Sequence, residues 1–232
     1  MKSTLYLLII LLFISPDLVS QTDRSNPRFV DFHIMPYTLL DYTPRLRLGV
    51  EYYPGSRFAY CLEAGMGSSD LNAGRLDGLI WGTHYTFNEI RPEIKYYFFN
   101  RNNNLSLYLA GELFALQMKD ILNFTFYHPE NADYLLEFDE ATFLKYKAGF
   151  HLKTGMKVVV FKMVSLDFYT GVGMAGRSIR YTNIFNPVET DYFMFEEWFP
   201  QTFRHEGDDI IFHITMGCKV GLTLQERRQN FR

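Results

Sequence analysis

The side chains best suited to hold a metal or attack a substrate are six histidines (His33, His84, His128, His151, His205, His213) and two cysteines, Cys61 and Cys218. Their spacing offers little. The cysteines form no ligand pair, and the histidines are scattered. His33, His151 and His213 share a sequence phase and can meet in one interior, as members of a hydrogen-bonded charge network or as a metal site. A lipid deacylase built on a barrel wall needs a histidine beside a serine, with an acid to orient it. His151 is followed two places on by Lys153, and His84 has only Thr83 and Thr86 near it. No glycine-rich loop joins a strand to a helix, so the glycines read as wall, not as a phosphate cradle. The expectation is a chain with no catalytic residue, no cofactor and no metal.

The charges are ordered more clearly. Asp31, Glu51, Glu63, Glu89, Glu93, Glu112 and Asp167 fall on one face of an alternating pattern. On the same face fall Arg45, Arg47, Arg91, Lys95, Lys145, Lys147, Lys153, Lys157 and Lys219. The signs nearly cancel, as burial of charges requires. Glu51, Glu63, Glu89, Arg91, Glu93, Lys95, Glu112, Lys147, Asp167 and Lys219 are the candidate members of an interior network, either as packing or as a path for protons or ions.

The elements that must position these residues have period two. Eight strands are expected: Phe29 to Thr38, Pro44 to Tyr53, Arg57 to Gly67, Thr83 to Phe99, Leu105 to Leu116, Phe143 to Val160, Ser165 to Ala175 and Ile210 to Leu224. In the third, Phe58, Tyr60, Leu62, Ala64 and Met66 alternate with Arg57, Ala59, Cys61, Glu63 and Gly65. Pro92 falls on the apolar face of the fourth and marks a candidate bulge. Several strands approach the ~9–11 residues that cross a bilayer at a tilt. Turns after the second, fourth and sixth strands are short; connections after the third, fifth and seventh are long. The turn after the first is short as well and fits less well. Aromatics gather near the short turns, at Tyr52-Tyr53, Tyr96 to Phe99 and Phe161, as an interfacial girdle does.

The fold expected is therefore an all-β, eight-stranded antiparallel up-and-down transmembrane β-barrel over residues 21–232, apolar outside and charged inside. A secreted soluble barrel or sandwich, with the faces exchanged, shares the pattern. Eight strands leave room only for side chains, which argues against an open pore. Cys61 is expected to face the lumen and Cys218 the lipid, so that they cannot join.

Met1 to Ser20 reads as a signal peptide. Lys2 supplies the charge, Leu5 to Ile14 the apolar run, and Pro16 the break before a small residue at Ser20. A net charge of −3 leaves no basic footprint for nucleic acid. The aromatic content of 17% suits a membrane interface. Gln117 to Ala141 and Arg177 to Asp209 read as long surface loops, the first acidic. The second carries seven acids with Tyr192, Phe193, Phe195, Trp198, Phe199 and Phe203. Such loops can dock a protein partner, bridge through divalent cations to lipopolysaccharide, or fold onto their own barrel mouth.

Arg91 to Phe98, Ser165 to Gly173 and the closing run Cys218 to Leu222, with Gln21 at the mature start, resemble the small outer-membrane β-barrel proteins of Bacteroidota. The resemblance covers the mature chain through weak repeats of strand chemistry. It implies location and fold, with a structural, adhesion or accessory role carried by surface loops, and it brings no catalytic residues. The chain departs from many barrels in carrying Gln225 to Arg232 after its last strand. A lipid-modifying enzyme and an accessory barrel of a secretion machine are the alternatives.

Overall fold

The computed structural model describes residues 28–41, 43–55, 57–71, 84–98, 105–130, 132, 134–160, 163–190 and 205–225. The expected signal peptide, residues 72–83 with the expected strand start Thr83, residues 99–104 and 161–162 with the expected girdle members Phe99 and Phe161, the aromatic run 191–204 and the tail beyond Gln225 lie outside them. Nine strands follow in order: β1 (Phe29–Ile34), β2 (Leu46–Tyr53), β3 (Phe58–Ser68), β4 (Thr86–Tyr97), β5 (Leu105–Tyr127), β6 (Leu135–Val160), β7 (Val164–Phe185), β8 (Val188–Thr190) and β9 (Gly207–Gln225). Each from β1 to β6 pairs antiparallel with the next, and β9 closes the ring against β7 and β1. β8 is the end of β7 after a break. Val188 opposite Glu137 keeps the register of Phe185 opposite Glu140, across Asn186-Pro187. Pro187 has no N–H to give the ladder. The fold is thus an all-β, eight-stranded antiparallel up-and-down barrel.

Alternation decides which side each residue takes. Phe32, Leu48, Leu62, Ile94, Leu109, Phe150, Val172 and Ile214 are exposed on the outer wall, while the charged set is buried in the bore, apart from Lys145 and Lys147, which are half-buried. Glycines sit opposite three ring side chains that point inward: Gly49 beside His33, Gly155 beside Tyr108, Gly217 beside Tyr169. A methyl group at any of the three positions would collide with its neighbour. Cys61 is buried inside and Cys218 lies in the outward phase, so the two stand on opposite faces of the wall.

Several boundaries differ from the sequence expectation. β1 stops at Ile34, because Pro36 opens a 3₁₀ turn, Pro36–Leu39, held by Thr38 Oγ1 to the carbonyls of Met35 (2.7 Å) and Arg45 (2.8 Å). Pro92 makes no bulge: Ile90 opposite Ala115 and Glu93 opposite Glu112 share one register. Tyr53 and Tyr97 are buried inside rather than in the girdle; Tyr52, Tyr96 and Phe98 are its outward members. The largest difference is in the long connections. Gln117 to Tyr127 and Leu135 to Ala141 are strand, continuing the β5–β6 hairpin, and β7 runs on to Phe185.

Those extensions obey the opposite pattern. Along β5, outward residues are apolar from Leu105 to Ala115 and then become Gln117 and Lys119, while inward residues turn from Glu112 to Met118 and Leu122. β7 inverts likewise, with Met174 outward below and Ile179 and Tyr181 buried inward above, where Ser178 and Arg180 take the outer face. The change is aligned across strands. Asn88, Gln117, Tyr146, Ser178 and Asp208 are successive cross-strand partners on β4, β5, β6, β7 and β9. Below this polar row the barrel is inside-out; above it the sheet is patterned like one in water.

Candidate functional site

The bore has three storeys, set by the sequence of inward residues. Its floor, near the short turns, is aromatic. Phe29 stacks on Tyr53 at 4.7 Å, and Tyr97 meets Tyr53 and Tyr108 edge-on at 6.0 and 5.4 Å. Its top is mostly apolar, formed by Phe87, Met118, Leu122, Phe138, Ile179 and Tyr181 among others, with the Asp120 carboxylate buried in the same phase. Charges fill the space between.

In the lowest charged layer, Lys95 Nζ donates to Glu51 Oε2 (2.7 Å) and Asp167 Oδ2 (2.6 Å). The remaining oxygens accept from hydroxyls: Tyr97 to Glu51 at 2.8 Å and Tyr108 to Asp167 at 2.7 Å. Asp31 accepts from Ser165 (2.5 Å) and Thr223 (2.8 Å). In the middle layer, Glu93 accepts from Lys153 (2.6 Å) and Lys219 (3.4 Å), and Lys219 also pairs with Glu63. In the upper layer, Glu89 accepts from Arg45 (2.9 Å), Arg47 (2.5 and 3.1 Å) and Arg91 (2.9 Å). Arg91 reaches Glu112 at 3.0 Å. Buried charges are tolerable only when matched in this way.

All the candidate network residues except Lys147 are thus ion-paired to one another or to their neighbours. Lys147 faces the same interior with no carboxylate in ion-pair range among the described residues; its ammonium lies 6.0 Å from the Phe114 ring. The hydroxyl partners Ser165, Thr223 and Tyr97 complete the layers. Tyr97 shares the phase of Glu93 and Lys95, the signal that places it inside.

The histidines divide. His151 Nδ1 lies 2.8 Å from Glu112 Oε1, and His151 Nε2 lies 2.5 Å from His213 Nδ1. The Glu112 carboxylate can only accept, so His151 donates from Nδ1; between His151 Nε2 and His213 Nδ1 one nitrogen donates and the other accepts. His33 is elsewhere, so the three do not meet. Its Nε2 is 3.3 Å from Glu63 Oε1 and 3.9 Å from Cys61 Sγ. His33, Cys61 and Glu63 offer ligand atoms within 4.8 Å of one another. The Lys219 ammonium already pairs with Glu63 and stands 3.9 Å from Cys61 Sγ, supplying the positive charge a metal would bring. These groups hold one another; the arrangement fills and locks the bore.

No family model matches the chain, and no curated protein matches it. Among solved structures, it is similar to a major outer membrane protein from Thermus thermophilus. The TM-score is 0.45, with 11% identity over 87% of this chain and 100% of that one, a likeness too distant to carry a role across.

Proposed function

We infer that this chain is an outer-membrane β-barrel without enzymatic activity, serving as a structural or accessory platform whose work is done by the part that rises above the bilayer. The observation that carries this reading is the aligned inversion of the wall at Asn88, Gln117, Tyr146, Ser178 and Asp208. An apolar exterior around a charged interior is costly in water and favourable in lipid. On β5 the apolar outer stretch runs from Leu105 to Ala115. At a rise of about 3.3 Å per residue and a tilt of about 40°, this stretch is roughly 28 Å tall, close to the apolar band of membrane barrels.

The expected N-terminal signal and the resemblance to small Bacteroidota barrels support the same address. The short-turn end, with both termini of the barrel, is assigned to the periplasm and the tall β5–β6 hairpin to the outside. Glu130, Glu137, Asp139 and Glu140 are exposed on the projecting part, placed to meet lipopolysaccharide through divalent cations. The filled bore supports a platform over a pore. An enzyme built on the outer wall is disfavoured by His151, which points into the lumen. Fractionation of producing cells tests the reading. The expected result is mature protein in the outer membrane, with an N-terminus close to Gln21. Recovery in the soluble periplasm or the medium overturns it.

A further inference from the structure

The ring is closed along its lower part only. β1 pairs with β9 from Phe29 opposite Gln225 to Ile34 opposite Val220, and there it ends. The 3₁₀ turn carries the chain inward, with Tyr37 against Gly217. β9 continues well beyond Val220, paired with β7 from Lys219 opposite Asp167 to Gly207 opposite Ile179. Among the described residues, no strand pairs with the other edge of that stretch.

Burial shows the same gap independently. On β7 the lumen-facing Gly171, Gly173, Ala175 and Arg177 are buried; their cross-strand partners Thr215, His213, Ile211 and Asp209 on β9 are half-buried. On the outer face, Ile210, Phe212, Ile214 and Met216 are 77%, 67%, 59% and 67% exposed, and all lie on the lipid side of the polar row. A backbone edge at this depth needs hydrogen-bonding partners that lipid tails cannot give. Nor is the edge guarded: from Ile210 to Met216 there is no proline, lysine or glycine to blunt or bend a free strand.

We propose that the upper edge of β9, Ile210 to Cys218, is a docking strand for an extended segment of another polypeptide, added antiparallel within the outer leaflet. This rests on the membrane reading above and names its partner class. The occupant is apolar on its outward side, to continue the row of Ile210, Phe212, Ile214 and Met216. It carries acidic side chains on its inward side. Lys147 lies in the cross-strand row Lys147–Arg177–Asp209 that ends on β9, with no carboxylate in ion-pair range among the described residues and within electrostatic reach of His213, Arg91 and Arg177. A second copy of this chain does not fit. In the same bilayer orientation its β9 would lie parallel, with lipid-facing and lumen-facing sides exchanged, so that an apolar row would run into a charged one.

The test is residue-resolved hydrogen–deuterium exchange on the full-length protein in micelles, read only on heat-modifiable protein, so that loss of the barrel and loss of the docking edge are separate results. The probe is a synthetic peptide of about nine residues, valine alternating with threonine and glutamate. The expected result is that alternate amides from Ile210 to Cys218 exchange fast in the free protein and slow by about tenfold or more with the peptide. Lys147→Glu weakens the effect about tenfold. Slow exchange before any peptide is added means that the chain pairs its own edge, and overturns the proposal. Fast exchange unchanged by the peptide overturns it too. So does protection in phosphatidylglycerol bilayers that the peptide does not increase, which assigns the opening to lipid.

Discussion

Lys219 Nζ on β9 lies 3.4 Å from Glu93 Oε1 on β4, two strands that face each other across the ring of eight. One ion pair therefore spans the bore. Deleting one partner leaves the other charge buried without its counterion. Lys219→Ala is expected to cost about 3–5 kcal/mol, seen as a lower urea midpoint for the folded, fast-migrating band. Replacing Lys219 by Met and Glu93 by Gln together should cost less than the sum of the single changes. An additive outcome would mean that the pair is not a unit.

The Tyr108 ring depends on Gly155, its partner across the β5–β6 ladder. A larger residue there pushes the ring away from Asp167, whose carboxylate it holds at 2.7 Å. Gly155→Leu should destabilise by about 1–3 kcal/mol through overpacking, and Gly155→Leu with Tyr108→Ala should recover part of the loss. Equal stabilities for Gly155→Leu and the parent would show that the floor of the bore is loose.

On the proposed membrane reading, the polar row divides two solvents along one strand. Leu109 is exposed well below it and Gln117 is part of it. Leu109→Arg should cost about 2–4 kcal/mol on folding into bilayers, and Gln117→Arg about 0–1 kcal/mol. Similar costs at both positions would contradict the assigned boundary.

Asp208 sits on that row, opposite Ser178, and accepts from Arg180 at 3.0 Å. The Ser178 hydroxyl first, and then Arg180, hold its carboxyl below the usual carboxylate range. The contact is therefore complete above the ordinary carboxylate pKa and is lost as pH falls through the depressed value. A carbon-detected titration of Asp208 should show the depression, and Ser178→Ala should raise the midpoint toward the ordinary value. No change on that substitution would remove Ser178 as the cause.

Much of the wall was legible because strict alternation sorts apolar from charged residues on it. Leu105, Leu107, Leu109 and Leu113 against Ser106, Tyr108 and Glu112 leave little choice of face. The extensions were harder. At Gln117 the rule reverses, and Met118, Asp120 and Leu122 inside against Lys119 and Asn123 outside break the phase that identifies the strand below. An acidic stretch such as Glu137 to Glu140 then resembles a loop, although its backbone is held by the β5–β6 ladder. The inward set of charges followed from alternation, but its pairing did not. Glu93 meets Lys153 and Lys219 because barrel closure brings β4, β6 and β9 around one axis. The expected first strand runs through Pro36 to Thr38 and so misses the early end of β1, and the consequence for β9 needed the register.

An SDS gel of the outer-membrane fraction, run with and without boiling, asks whether the chain is a membrane-embedded barrel held by the ring that closes its lower part. A ring of hydrogen-bonded strands with a locked interior resists SDS until heated. The expected result is a fast-migrating band in the unboiled sample that shifts on boiling. A single band at one position in both lanes, with the protein in the soluble fraction, would contradict it.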